Sequence, residues 1–109
     1  DGAIAGGYAP IQDLTAPDVV DAAGYAADQV TEQTSVDYSF LSLLETGTVT
    51  YHSEVIDGES QVVAGTNYKL DIELIDYSID ACIGVFEATI YEDLSGNYSV
   101  TNWGPEIPC

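Results

Sequence analysis

The sequence predicts an α+β domain, one α-helix packed on a four- to five-stranded antiparallel β-sheet. Apolar residues recur at helical spacing within residues 15–36. Beyond them, runs rich in β-branched and aromatic residues follow one another at hairpin spacing, separated by glycine-containing turns. A chain of 109 residues holds one domain, residues 1–109, with a single modest core.

The elements follow in order. Residues 1–12, rich in Gly and Ala and carrying Pro10, read as a flexible N-terminal arm. Thr15 is the expected N-cap of the helix, Pro17 is tolerated in its first turn, and Asp18 and Asp21 suit the positive end of its dipole. Val19, Ala23, Ala26, Ala27 and Val30 make one apolar stripe of small residues, which lets the helix approach a partner surface closely. Gly24 weakens the helix by roughly 1 kcal/mol relative to Ala and is expected at the point of closest approach. The helix should end near Gln33 to Val36. Tyr38–Leu44 and Thr48–Ile56 read as strands separated by Thr46-Gly47, with Val49, Tyr51, Ser53 and Val55 sharing a face. Asp57-Gly58-Glu59-Ser60 signals a turn or a bulge. The clearest strand is Thr66–Asp76, where Tyr68, Leu70, Ile72 and Leu74 alternate with Lys69, Asp71 and Glu73. Ile83–Glu92 and Asn97–Trp103 complete the sheet around the hairpin turn Leu94-Ser95-Gly96. The helix covers one face of this sheet, and the other stays wet and acidic.

Charge limits the partners. Nineteen carboxylates face a single cation, Lys69, for a net charge of −18. Such a surface repels nucleic-acid phosphates and anionic lipids and suits cationic partners or a salty medium. No apolar run is long enough for a membrane-spanning helix. Cys82 and Cys109 are either free thiols or a pair. A thiol on the last residue favours the pair, which would close 27 residues and stabilise by ~3.5 kcal/mol in the loop-entropy model. A bridge implies an oxidising compartment. With no Met in the chain, the simplest expectation is a mature secreted protein whose signal segment was removed.

Catalytic constellations are weak, and no enzyme is expected. His52 is the sole histidine, lies mid-strand beside Ser53, and reads as an exposed strand residue without a nucleophile elbow. Asp71, Asp76 and Asp80 do not make a calcium-loop spacing, so neither metal nor cofactor is expected. Asn97-Tyr98-Ser99 is an N-glycosylation sequon beside the last turn. Three small or apolar segments remain: Ile4-Ala5-Gly6-Gly7, Gln61-Val62-Val63-Ala64-Gly65 and Leu94-Ser95-Gly96. A meander sheet places both turns at one end, within reach of the arm, and small residues there form a thin wedge able to enter a cleft.

Taken together these segments resemble the tripartite wedge of the cystatin superfamily. The Gln-x-Val-x-Gly signature is complete as Gln61, Val63 and Gly65, and the following Thr66-Asn67-Tyr68 is similar to the stefin pattern. Gly6 or Gly7 matches the family's N-terminal glycine, and Leu94-Ser95-Gly96 resembles the Leu-Pro-Gly second loop of stefins, with Ser for Pro. The likeness covers most of the chain and is specific from Gln61 to about Leu74. The segment between the helix and Gln61 is longer than the family usually has, so an extra turn, bulge or extended hairpin is expected there. Trp103 lies too far along to replace the Pro-Trp second loop of secreted cystatins, and one bridge stands where those proteins have two. The resemblance implies reversible, tight-binding inhibition of papain-like cysteine proteases, of the papain or cathepsin L type. The arm and both hairpins would enter the active-site cleft and no bond would be cleaved. It implies a monomer, with a domain-swapped dimer through the first hairpin as the alternative state. The competing functional reading is a non-inhibitory acidic cystatin-fold module for a cationic partner.

Overall fold

A computed structural model describes residues 7–109. The elements are β1 (Ala9–Pro10), α1 (Pro17–Gln29), α2 (Leu41–Glu45), β2 (Tyr51–Val63), β3 (Gly65–Asp76), β4 (Ala81–Glu92) and β5 (Tyr98–Ile107). The strands form one five-stranded antiparallel sheet in the order β1-β2-β3-β4-β5, and α1 lies across one face.

The β3 alternation holds throughout. Tyr68, Leu70, Ile72 and Leu74 are buried toward the helix, while Lys69, Asp71 and Glu73 face the other way. Facing residues on β4 continue the core, with Phe86, Ala88 and Ile90 opposite Ile72, Leu70 and Tyr68. From α1, Val19, Ala22, Ala23, Ala26, Ala27 and Val30 pack down on them. Gly24 is not the point of closest approach: a Cβ there would meet nothing within 4 Å. The alanines, flanked by Val19 and Val30, make the contact.

Five local expectations are corrected. The N-cap is Ala16 rather than Thr15, because the Thr15 amide and hydroxyl are held by Asp13 Oδ1 at 3.0 and 2.6 Å in a turn ahead of the helix. The helix ends at Gln29, not near Gln33 to Val36. There the Gln33 side chain bonds both backbone groups of Val36, accepting from its N–H at 2.9 Å and donating to its carbonyl at 2.6 Å, which satisfies a loop instead of a further turn. Tyr38–Leu44 is not a strand: its second half is α2, in which Leu41 and Leu44 are buried one turn apart. Finally, β2 begins at Tyr51 rather than Thr48 and runs unbroken to Val63. Asp57-Gly58-Glu59-Ser60 lies inside it, beside a bulge between Val55 and Asp57. The extra structure expected ahead of Gln61 is thus α2 and this bulge. Of the arm, Ala9 and Pro10 form β1 against Ser60 and Glu59. His52 is half-buried rather than exposed, with its ring centroid 4.3 Å from that of Tyr77.

Element lengths explain the role of residues 38–45. Thirteen helical residues span about 20 Å, whereas strands of twelve or thirteen residues span about 40 Å. The helix leaves half of the sheet's apolar face open, and Tyr38, Phe40, Leu41 and Leu44 cover it. Tyr38 and Phe40 stack on each other and meet Phe86, with centroids 5.3 to 5.9 Å apart, and Trp103 joins Phe86 from β5. The Tyr38 hydroxyl donates to the Gly104 carbonyl at 2.7 Å, and the Glu106 carboxylate accepts from both the amide and the hydroxyl of Ser39. A disulfide joins Cys82, at the start of β4, to Cys109 beyond β5. It secures the edge strand at the end of the sheet where the 77–80 turn lies.

On the uncovered face, Asp57, Asp71 and Glu87 stand side by side across β2, β3 and β4. Asp71 is pushed up to about 6, first by partial burial, then by its hydrogen bond to Glu87 and the charges of Glu87 and Asp57, with Lys69 opposing.

Two outcomes are expected. Gly84 lies under the Phe40 ring, whose Cγ would sit 2.8 Å from an added Cβ. Gly84→Ala should therefore lose about 2 kcal/mol in urea unfolding, and Gly24→Ala should lose nothing. The second concerns pH. A carboxyl whose affinity for protons rises on folding contributes stability that is present below its ordinary value, 3.8 for Asp, and lost as pH rises through about 6. The urea midpoint should accordingly rise from pH 7 to pH 5, and Asp71→Asn should be more stable at pH 7 and show a flatter profile.

Candidate functional site

The antiparallel meander brings the two sequence-selected turns to one end of the sheet, and of the third segment it brings Gly7 toward the same end. The β2–β3 turn lies at Ala64, between the paired residues Val63 and Gly65. The β4–β5 turn occupies residues 93–97, and Thr66 pairs with Glu92, so the two turns are neighbours. Pairing of Ala9 with Ser60 carries Tyr8 and Gly7 toward the level of Gln61 and Val62. Gly7 is exposed; Ile4, Ala5 and Gly6 lie outside the described residues.

The first turn is held by close packing. Gly65 has φ +106, a conformation that side chains disfavour. A Cβ at Gly65 would also strike the Glu92 carbonyl and sit 2.8 Å from the Tyr91 hydroxyl. That hydroxyl donates to the Ala64 carbonyl, tying the tip of one hairpin to the stem of the other. Gln61 and Asn67 face each other at the base, where the Asn67 amide donates to Gln61 Oε1 at 2.8 Å. Val62 is left 71% exposed and Val63 43%.

The second turn is held by a carboxylate. Asp93 Oδ1 accepts from the amides of Ser95 and Asn97, both at 2.9 Å. The Gly96 amide donates to the Asp93 carbonyl, and the Asp93 amide donates to the Asn97 carbonyl, at 3.0 and 2.9 Å. Gly96 takes φ +83 to close the turn. These bonds, the one from the Asn97 amide foremost, hold Asp93 below the ordinary carboxylate range. Leu94 projects from the ordered loop, 83% exposed.

Behind the turns, the Tyr68 hydroxyl meets Asp18 Oδ2 of α1 at 2.9 Å and Glu92 Oε1 of β4 at 3.1 Å. Burial and these two carboxylates push the phenol well above its usual range. The hydroxyl thereby links the start of the helix to the stem of the second hairpin. Trp103 lies mid-strand in β5 opposite Ala88, packed on Phe86 and away from the turns.

No protein-family model matches the chain. Among known proteins it is similar to a cystatin of Bitis arietans, 30% identical over 107 residues, covering 97% of this chain and 85% of that protein. The chain belongs to the cystatin family. This cystatin is also 33% identical over 88 residues to cysteine proteinase inhibitor 1 of Actinidia chinensis var. chinensis, covering 81% of its own length and 63% of that relative. It therefore spans less than two thirds of the plant protein. Among solved structures, the salivary cystatin of the soft tick Ornithodoros moubata matches with a TM-score of 0.57 at 26% identity, over 95% of this chain and 99% of that one.

Two of the residues that order this cystatin's turns were outside the sequence-selected set. Asp93 had a local signal, since an Asp followed within three residues by Gly is a common turn opening. Tyr91 had none, because its acceptor lies 27 residues earlier in the chain.

Gly65→Ala should disturb both turns at once, given the contacts with Tyr91 and Glu92. Faster amide exchange from Val63 to Thr66 and from Glu92 to Asn97 is expected, with the 77–80 turn and the disulfide end unchanged. Tyr91→Phe should loosen the first turn alone and change global stability by less than about 1.5 kcal/mol.

Proposed function

We propose that this cystatin is a secreted, reversible, tight-binding inhibitor of papain-like cysteine proteases. The observation that carries the reading is the common edge formed by Gly7, the Gln61–Gly65 turn and the Leu94–Gly96 turn, with apolar tips on an ordered frame. The plant relatives bear the name cysteine proteinase inhibitor, which supports the same conclusion.

In this mechanism Val62, Val63 and Ala64 enter the protease cleft on one side of the catalytic cysteine, and Leu94, Ser95 and Gly96 enter it further along. The arm, with Ile4 and Ala5 ahead of Gly6 and Gly7, fills the subsites on the other side. No peptide bond of the wedge lies over the nucleophile, so the inhibitor blocks the cleft without turnover. Because the turns are ordered before docking, little conformational freedom remains to be lost on binding. Burial of an exposed Val or Leu side chain contributes up to about 1.5 to 3 kcal/mol each. The arm orders on binding and acts mainly on the dissociation rate. The net charge of −18 accelerates encounter with cationic enzymes at low salt.

The disulfide supports an extracellular setting, as does the salivary origin of the tick relative. The unit of action is taken as the monomer.

Titration of papain and a cathepsin L-type enzyme tests the proposal. Stoichiometric, reversible inhibition with the inhibitor recovered uncut is expected, and no inhibition at micromolar protein refutes it. Leu94→Ala should weaken binding roughly ten-fold, and removal of residues 1–6 should speed dissociation more than it slows association.

A further inference from the structure

We propose that Asn97 is an N-glycosylation site and that its glycan controls access of the second hairpin to a protease. The control step rests on the inhibitor reading above; the attachment site does not. Asn97-Tyr98-Ser99 is a sequon whose residue types are arranged by the fold for attachment. Asn97 and Ser99 are exposed, whereas Tyr98 between them is half-buried, its ring 5.8 Å from that of Tyr25 on α1. Alternation along β5 therefore sets the Ser99 hydroxyl on the side turned away from the helix, and Asn97 stands just ahead of the strand, exposed, at the end of the 93–97 turn. β5 is an edge strand, so among the described residues no further strand lies beside the sequon.

The Asn97 side chain takes little part in holding its own loop. Its Nδ2 lies 3.4 Å from Asp93 Oδ2, at the limit of a hydrogen bond, whereas the loop closes through the Asn97 backbone amide and carbonyl. An amide nitrogen bearing a sugar keeps one N–H, so even this contact survives. The Cys82–Cys109 bridge is independent support, since oxidising folding compartments are also where such sugars are added. The donor class is a lipid-pyrophosphate-linked oligosaccharide. Asn97 Nδ2 bonds to the anomeric carbon of the first sugar and gives up one proton, and the carbon–oxygen bond to the pyrophosphate breaks with its electron pair leaving on the lipid carrier.

The position gives the modification its consequence. Asn97 sits at the base of the turn from which Leu94 projects, three residues away. A branched oligosaccharide there is bulkier than the turn itself. It would stand beside Leu94 and obstruct seating of the second hairpin.

The experiment is secretion of the full chain from a eukaryotic host. The expected result is a single-glycan mass increase that is removed by an amidase specific for N-glycans, absent from Asn97→Gln and Ser99→Ala, and retained by Ser99→Thr. A folded, disulfide-bonded secreted chain without that increase overturns the site. In papain titrations the glycosylated chain should associate roughly ten-fold or more slowly than Ser99→Ala. Equal association rates overturn the control step and leave inhibition standing. If Ser99→Ala does not inhibit papain, the inhibitor reading fails and the control step with it, whereas the mass increase still decides the attachment site.

Discussion

Everything at the edge that carries the two turns depends on the register of β3. Tyr68, Leu70, Ile72 and Leu74 are all driven to one face by burial, and a slip of one residue would turn all four outward into water. That constraint fixes the pairing with β2 on one side and β4 on the other, and so it fixes where each hairpin reverses. The Ala64 turn and the 93–97 turn fall level with each other because both neighbours are locked to the same strand. Gly65 is then the residue at which the two hairpins touch, and its lack of a side chain is what permits their contact. A core constraint in the middle of the sheet thus becomes positional accuracy at its tip.

Parts of the chain governed by a single periodicity were readable from sequence. β3 is one, and so are the small-residue stripe of α1 and the Leu94-Ser95-Gly96 turn. Residues 37–47 were not, because Leu41-Ser42-Leu43-Leu44 fits both an alternating strand and one helical turn. Two facts decide between them in the structure. Leu41 and Leu44 have an open apolar face to fill beyond the end of α1, and Gly47 at φ +70 helps close the turn. Gly24 misled for a related reason. Glycine suggests close approach, yet here it sits off the alanine stripe, where nothing is near. The placing of the two turns at one end of the sheet was legible because meander topology alone decides it. The groups that order those turns were less so, since Tyr91 acts across hairpins.

Charge is distributed with the same logic. Nineteen carboxylates must be placed around one Lys, and most are left in water. Those nearest the edge are occupied instead. Asp93 is turned onto the amides of its own loop, Glu92 and Asp18 meet the Tyr68 hydroxyl, and Asp13 holds Thr15. The side chains that project furthest from the turns, Val62 and Leu94, are uncharged. Like charges crowd on the opposite side of the sheet, where Asp71 and Glu87 pair by hydrogen bond. Among the described residues, the turns thereby present apolar tips while Asp93, Glu92 and Asp18 beside them are engaged in hydrogen bonds.

The two turns reach the same rigidity by different means. The first relies on a steric fit around Gly65, which neither salt nor pH alters. The second departs from the stefin pattern in having Ser95 where that pattern has Pro. A proline there would fix one backbone angle but would remove the amide that Ser95 donates to Asp93 Oδ1. In this chain the carboxylate of Asp93 replaces the ring, gathering the Ser95 and Asn97 amides on one oxygen. Such an arrangement orders the loop while the carboxylate is ionised. It weakens only when pH falls through the depressed value at which Asp93 gains a proton. Against the stefin pattern that residues 94–96 resemble, this loop is ordered by a charge-assisted hydrogen-bond network where that pattern has a proline ring.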